Sequence, residues 1–341
     1  MSISKTTRAL KENFMSDLRK GKLEKLLERV KDDDTLCLEL RGDRIIIYYR
    51  GGALYTIKEI SDNEYEISYN KNYILEENID KKKADYETIP SIEQAIKDIP
   101  QHKETMDFYF AKYPKLEREF QQLILRENNN SGKVTDATDY YILDIEYAFS
   151  GNNSDEDVIN ARYDMLGVIW PSDGIQRKNT NNLRLSFIEI KYGDGSIDSG
   201  SDVSKAGIHK HINDYIKFRK DNELIDFIAS DMAKVFNQKH KLGLISSYPD
   251  KQGNLEISLS RDNPEFLLVL VNHDPAKTKL CSELEATISE WKGKDEEKYL
   301  DEIRIAESSL MGHGLYALDK DGNSRFVNIK EFCRKIVKED V

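Results

Sequence analysis

Hydrophobic and polar positions follow two different rhythms along this chain. Near the start, roughly Thr6 to Lys31, the apolar residues recur at helical spacing and charges fill the other positions. From Thr35 to Ile60 the pattern changes to short β-rich runs. "LCLEL" and "IIIYY" are separated by "RGD", and "RGG" at Arg50 to Gly52 precedes "ALYTI", which together predict a β-meander; "EYEISY" adds a strand. Arg41, Arg50 and the nearby tyrosines read as solvated strand edges, with a binding face as the alternative. "KNYILEENIDKKKADYETIPSIEQAIKDIP" mixes charge and proline with little periodicity. It predicts a linker with one short helix after Pro90 and a domain boundary near Pro100.

The second part, Gln101 to Val341, is organised differently. "YPKLEREFQQLILREN" predicts a helix opened by Pro114, with Leu116, Phe120, Leu123 and Ile124 on one buried face and Glu117 and Glu119 flanking it. Three strands are expected next: "DYYILDIEYAFSG", "RYDMLGVIW" (Arg162 to Trp170) and "LRLSFIEIKYG" (Leu183 to Gly193). A helix with Ile208, Ile212, Tyr215 and Ile216 on one face follows, and then "EFLLVLVNHD", a buried strand bounded by Pro264. Helix, three strands, helix, strand predicts the α/β class, with a mixed central sheet flanked by helices. Residues 1–100 are expected to form a β-rich α+β accessory region and residues 101–341 the core domain.

Composition narrows the function classes. Apolar residues make up 39% of the chain and charged residues 33%. No run approaches the roughly 20 apolar residues of a membrane helix. The N-terminus has no apolar stretch of secretory type, so the expectation is a cytoplasmic protein without a membrane partner. Cys37, Cys281 and Cys333 lack metal-ligand spacing and are expected to be buried thiols. The net charge of -11 gives no overall attraction for nucleic acid, but basic residues gather in "GIQRKNTNNLR" and "KAGIHKHINDYIKFRK".

The candidate chemistry sits on the strands, where charges stand at positions that should bury hydrocarbon. Residues two apart on a strand share a face and lie roughly 7 Å apart, so Glu189 and Lys191 of "IEIK" project together, and Asp164 on the preceding strand can reach the same spot. Two carboxylates there repel unless a cation neutralises them. A hard divalent ion does so while leaving coordination positions for water and phosphate. Lys191 is then the non-ligand member, whose ammonium can hold the attacking water or stabilise charge on a phosphoryl oxygen. The alternative is a solvated sheet face with Lys191 in a cross-strand ion pair.

Asp164, then Glu189-Ile190-Lys191, all on strands after a helix with an acidic residue, resembles the PD-(D/E)XK nuclease superfamily over roughly the second half of the chain. "LEREFQQLILREN" is similar to the first helix of archaeal Holliday-junction resolvases within it. The resemblance implies a restriction-endonuclease-like core and a metal-dependent nuclease, with DNA ahead of RNA as the substrate. It implies Mg²⁺ or Mn²⁺ held by Asp164, Glu189 and the carbonyl of Ile190, assistance from Lys191, and Glu117 as the third acid, with Glu119 as fallback. His211 to Tyr215 stands where some members carry Gln-x-x-x-Tyr, and Tyr163 precedes Asp164 where the family often has Pro. By analogy the biological setting is restriction or phage defence, and a homodimer or a protein partner is compatible with it.

Lys205, His209, His211 and Tyr215 on the helix after the strands are weaker candidates for contact with nucleic acid. Asp144 and Glu146 read as polar positions of a half-exposed strand that could assist a metal. "DKDGNSRF" (Asp319 to Phe326) reads as a hairpin turn, and "GHGLYAL" (Gly312 to Leu318) as no phosphate loop. Two other functions remain open: an inactive nuclease-fold module that binds nucleic acid or protein, and a nucleotide phosphohydrolase. No GxxxxGK[ST] loop supports the second.

Overall fold

The computed structural model describes residues 7–74, 85–129, 138–152, 158–172, 174–193, 197, 207–245, 255–273 and 279–308. Lys205, Gly312 to Leu318, Asp319 to Phe326 and Cys333 lie outside the described residues. The chain divides into two compact units, residues 1–189 with 217–266, and residues 190–216 with 267–341.

The first unit opens with two short helices, α1 (Glu12–Lys20) and α2 (Glu24–Lys31), where the periodicity predicts one. The break is at Gly21, where a Cβ would stand 2.7 Å from the Asp17 backbone. Phe14, Met15 and Leu18 of α1 and Leu26, Leu27 and Val30 of α2 are buried. An antiparallel sheet follows in sequential order: β1 (Leu36–Leu40), β2 (Arg44–Tyr49), β3 (Gly52–Ser61), β4 (Glu64–Asn70) and β5 (Tyr86–Ile89). Arg50 and Gly51 form the two-residue turn between β2 and β3, with φ of 48° and 73°. Two positive φ values in succession match the twist of a hairpin, and the glycine meets that demand at little cost.

The expected linker and boundary near Pro100 are corrected. Residues 86–89 are the edge strand β5, and Pro100 lies inside α3 (Ile92–Lys112). Ser91 caps this helix by accepting a hydrogen bond from the Gln94 N–H at 3.1 Å. Pro100 costs the helix one backbone hydrogen bond, and its ring is exposed while Ala95, Ile99, Met106 and Phe110 are buried. α4 (Leu116–Asn129) follows. Its buried face is rotated from the predicted one: Phe120, Gln121, Ile124 and Leu125 are covered and Leu116 is exposed.

The second sheet comprises β6 (Tyr140–Asn152), β7 (Val158–Ile169), β8 (Leu183–Tyr192), β9 (Leu259–Val271) and β10 (Ile303–Ser308), in spatial order β10-β9-β8-β7-β6. β6, β7 and β8 are successively antiparallel. β8 and β9 run the same way, since Leu183 N–H reaches the Ser258 carbonyl at one end and Gly193 N–H reaches the Val271 carbonyl at the other. A parallel return needs a crossover, here α5 (Ile208–Arg219) and α6 (Asn222–Lys241). The sheet is therefore mixed and the chain is α/β, as its pattern predicts. β9 begins before Pro264, so proline does not bound it. In the second unit α7 (Leu280–Trp291) leads through a 3₁₀ turn to β10. Cys281 on α7 is exposed, contrary to expectation, whereas Cys37 is buried and its thiol is pushed up to about 12, chiefly by that burial.

Arg41 is not a solvated strand edge. Its guanidinium is buried and forms a charge-assisted bond to buried Asp144 of β6, while also donating to the carbonyls of Ile145 at 2.6 Å and Leu40 at 2.8 Å. Arg8 approaches the same carboxylate at 3.2 Å, and Lys239 of α6 donates to buried Glu39 at 2.6 Å. Burial pushes the Glu39 carboxyl above its usual value, with Lys239 and Arg41 opposing the shift. Inside the first unit, then, the first sheet is joined to β6 and α6 by paired, buried charges, which are costly to break.

Candidate active site

The β7–β8 ladder places Met165 opposite Ile188, and the next residues along the two strands are Asp164 and Glu189. Adjacent strands are about 4.8 Å apart, so the two acids are anchored on neighbouring backbone. Glu189 is 3% exposed and Asp164 is half-buried. On its other side Asp164 faces Glu146 of β6, because Ile145 pairs with Met165 and Tyr147 with Tyr163. Glu146 has φ of 54°, a left-handed backbone uncommon for an acid within a strand. Three acidic positions thus fall in register across β6, β7 and β8.

Helix α4 answers this row with donors. Arg118 Nε lies 3.2 Å from Glu146 Oε1, and the Gln121 amide donates to Asp164 Oδ1 at 2.6 Å. Glu117 precedes Gln121 by one helical turn and so shares its face. Glu119 points elsewhere and is engaged by Arg50 Nε at 2.9 Å, while the same guanidinium reaches Asp107 at 2.9 Å. These two carboxylates hold the arginine above its ordinary pKa, Glu119 most strongly and Asp107 after it. Of the two candidate third acids, Glu117 is on the Asp164-facing side of the helix.

Asp144, by contrast with Glu146, is removed from this row. It is fully buried and belongs to the Arg41 pair. Sequence reasoning gave Gln121 and Arg118 no role, and nothing in their chemistry alone marks them out. The available signal was position, since Gln121 follows the acid at 117 by one turn.

In the second unit, Lys191 follows Glu189 by two residues on β8 and is 4% exposed. Its Nζ lies 3.5 Å from His211 Nε2 on α5. His209 turns away from that contact. It bonds the Thr287 hydroxyl at 2.8 Å and Glu290 at 3.0 Å on α7, with Asn213 3.1 Å from the same ring nitrogen. Tyr215 is fully buried and donates to Glu302 at 2.6 Å. His209 and Tyr215 are therefore held by packing within their unit. Arg50, read as a strand-edge cation, is the clamp on Glu119.

A pair of carboxylates such as Asp164 and Glu189 has the chemistry a hard divalent cation takes, since such an ion commonly uses one or two carboxylates and completes its shell with water. Among the described residues, no three His, Cys, Asp or Glu side chains form a ready-made metal cage. No helix of the described residues is long and apolar enough to cross a membrane. No family model, no curated protein and no solved structure matches the chain.

Proposed function

We propose that the chain is a metal-dependent nuclease that hydrolyses phosphodiester bonds, with DNA ahead of RNA as its substrate, in the cytoplasm. The reading is supported by the placement of Asp164 and buried Glu189 on neighbouring strands, each one residue past the last β7–β8 pair. It is supported by the order of helix, three antiparallel strands, crossover helices and parallel strand, which is that of the restriction-endonuclease-like core implied by the sequence resemblance. Asp164, Glu189 and the Ile190 carbonyl would hold Mg²⁺ or Mn²⁺. Such an ion, when bound, polarises a phosphoryl oxygen and makes a bound water more acidic.

The remaining work falls to side chains of this chain. Lys191 projects from β8 on the same side as Glu189 and supplies a positive centre for the attacking water or for charge developing on the phosphoryl oxygen. Glu117 brings a further acid from α4. Incubating the purified protein with Mg²⁺ or Mn²⁺ on plasmid, linear duplex, single-stranded DNA and RNA tests the proposal. Cleavage of at least one substrate is expected, abolished by Asp164→Ala and reduced about a hundredfold or more by Lys191→Ala. Activity that survives Lys191→Ala and Glu189→Ala together would sink the mechanism.

The alternative is a nuclease-fold module that grips nucleic acid or a protein without cutting. Binding of any of these nucleic acids without cleavage, with and without added metal, decides for that module.

A further inference from the structure

Two consecutive glutamines of α4 are buried, Gln121 at 2% exposure and Gln122 at 6%. A buried amide is costly unless its polar atoms are bonded, so each must be explained by its partners. Gln122 accepts the Gly51 N–H at 2.7 Å and donates to the Thr35 carbonyl at 2.7 Å, bonds that tie α4 to the first sheet. Gln121 instead donates to Asp164 Oδ1 at 2.6 Å. A carboxylate oxygen only accepts, which fixes the amide orientation with nitrogen toward Asp164.

We infer that Gln121 is the positioning residue of the proposed metal site, setting the rotation of the Asp164 carboxylate. The inference rests on the reading of Asp164 as a metal ligand. The terminal torsion of an aspartate is broad and roughly two-fold, so the backbone does not set where its oxygens point. Glu189 stands one residue past the last β7–β8 pair on the neighbouring strand, so where the Asp164 oxygens point decides whether they can share an ion with it. A donor on Oδ1 stops the carboxylate's rotation and directs Oδ2 to a fixed place. The donor is neutral, so unlike an arginine or a lysine it brings no opposite charge of its own to the carboxylate. Gln122 fixes the helix that carries the amide, so the orientation is set by the fold before any ion arrives.

The test is calorimetric titration of Mn²⁺ into the full-length wild type, Gln121→Met, Gln121→Ala and Asp164→Ala, with thermal unfolding of each in EDTA. Groups that orient a metal ligand typically contribute about ten- to a hundredfold in metal affinity. Both Gln121 variants are expected to lose that much Mn²⁺ affinity, and Gln121→Met, close in shape to glutamine, to keep its EDTA unfolding midpoint. Affinity within about twofold of wild type in whichever Gln121 variant is folded, with Asp164→Ala not binding, overturns the positioning role and leaves the nuclease reading intact. No binding by the wild type, or equal binding by Asp164→Ala, overturns the metal reading and the positioning role with it.

Discussion

Replacing Arg41 by alanine should destabilise the core that Trp170 reports on, although Arg41 belongs to the N-terminal sheet. The guanidinium is buried against Asp144 and donates to two main-chain carbonyls, those of Ile145 and Leu40, at 2.6 and 2.8 Å. Its removal leaves the Asp144 carboxylate, 1% exposed, with Arg8 at 3.2 Å as its cation. Breaking a buried ion pair from one side costs about 3–5 kcal/mol, mainly through the charge left behind. Against a total stability of about 5–15 kcal/mol, that is a large share. The assay is urea unfolding followed by Trp170 fluorescence in a Trp291→Phe background, since the chain has two tryptophans. Arg41→Ala is expected to lower stability by about 4 kcal/mol in one transition. Adding Asp144→Asn should reveal a coupling of about 2 kcal/mol or more, as expected for residues in direct contact. A Trp170 transition moved by less than about 1 kcal/mol would refute the claim that buried charges fuse the first sheet to β6.

The same integration predicts that a fragment spanning residues 101–341 will not fold, because it truncates α3 and strips Gln122, Glu119 and Asp144 of their partners; a dispersed amide spectrum from it would contradict this. Gly51→Ala should cost at least about 2 kcal/mol in chemical unfolding, because a Cβ there meets the Arg118 backbone at 2.4 Å and the turn demands a φ of +73°. Asp33 is lowered to about 2: burial opposes the shift, and hydrogen bonds from Thr35 and Lys103 overcome it. A depressed carboxyl stabilises above its unfolded pKa, so this contribution is complete at neutral pH and is lost as pH falls from about 4 toward 2. Lys103→Met should flatten that part of the stability–pH curve, and an unchanged curve would remove the pair from the account.

How much of this could be read in the sequence depended on the range of the interactions. Local pattern was enough for β1 to β4, for α4 and for the run of β6, β7 and β8, because each buries a periodic set of its own residues. The pairing of Asp164 with the Glu189 strand follows from the same periodicity. α3 was hidden by Pro100, which reads locally as a helix stop although the helix continues through it, and β5 by four mostly exposed residues that declare themselves only by pairing with β4. The burial of Arg41 could not be foreseen from its neighbours in "LELRGDR", since its partner Asp144 lies far along the chain. Gln121 was silent for the same reason: an amide becomes informative once the acid it touches is known.

The central claim is that Asp164 and Glu189 share one divalent cation, and anomalous scattering from a Mn²⁺-soaked crystal tests it most directly. A peak bonded to both carboxylates is predicted in the wild type, lost in Asp164→Ala. A wild-type crystal with no peak there, or one whose Mn²⁺ lies elsewhere and ignores both acids, would contradict the account.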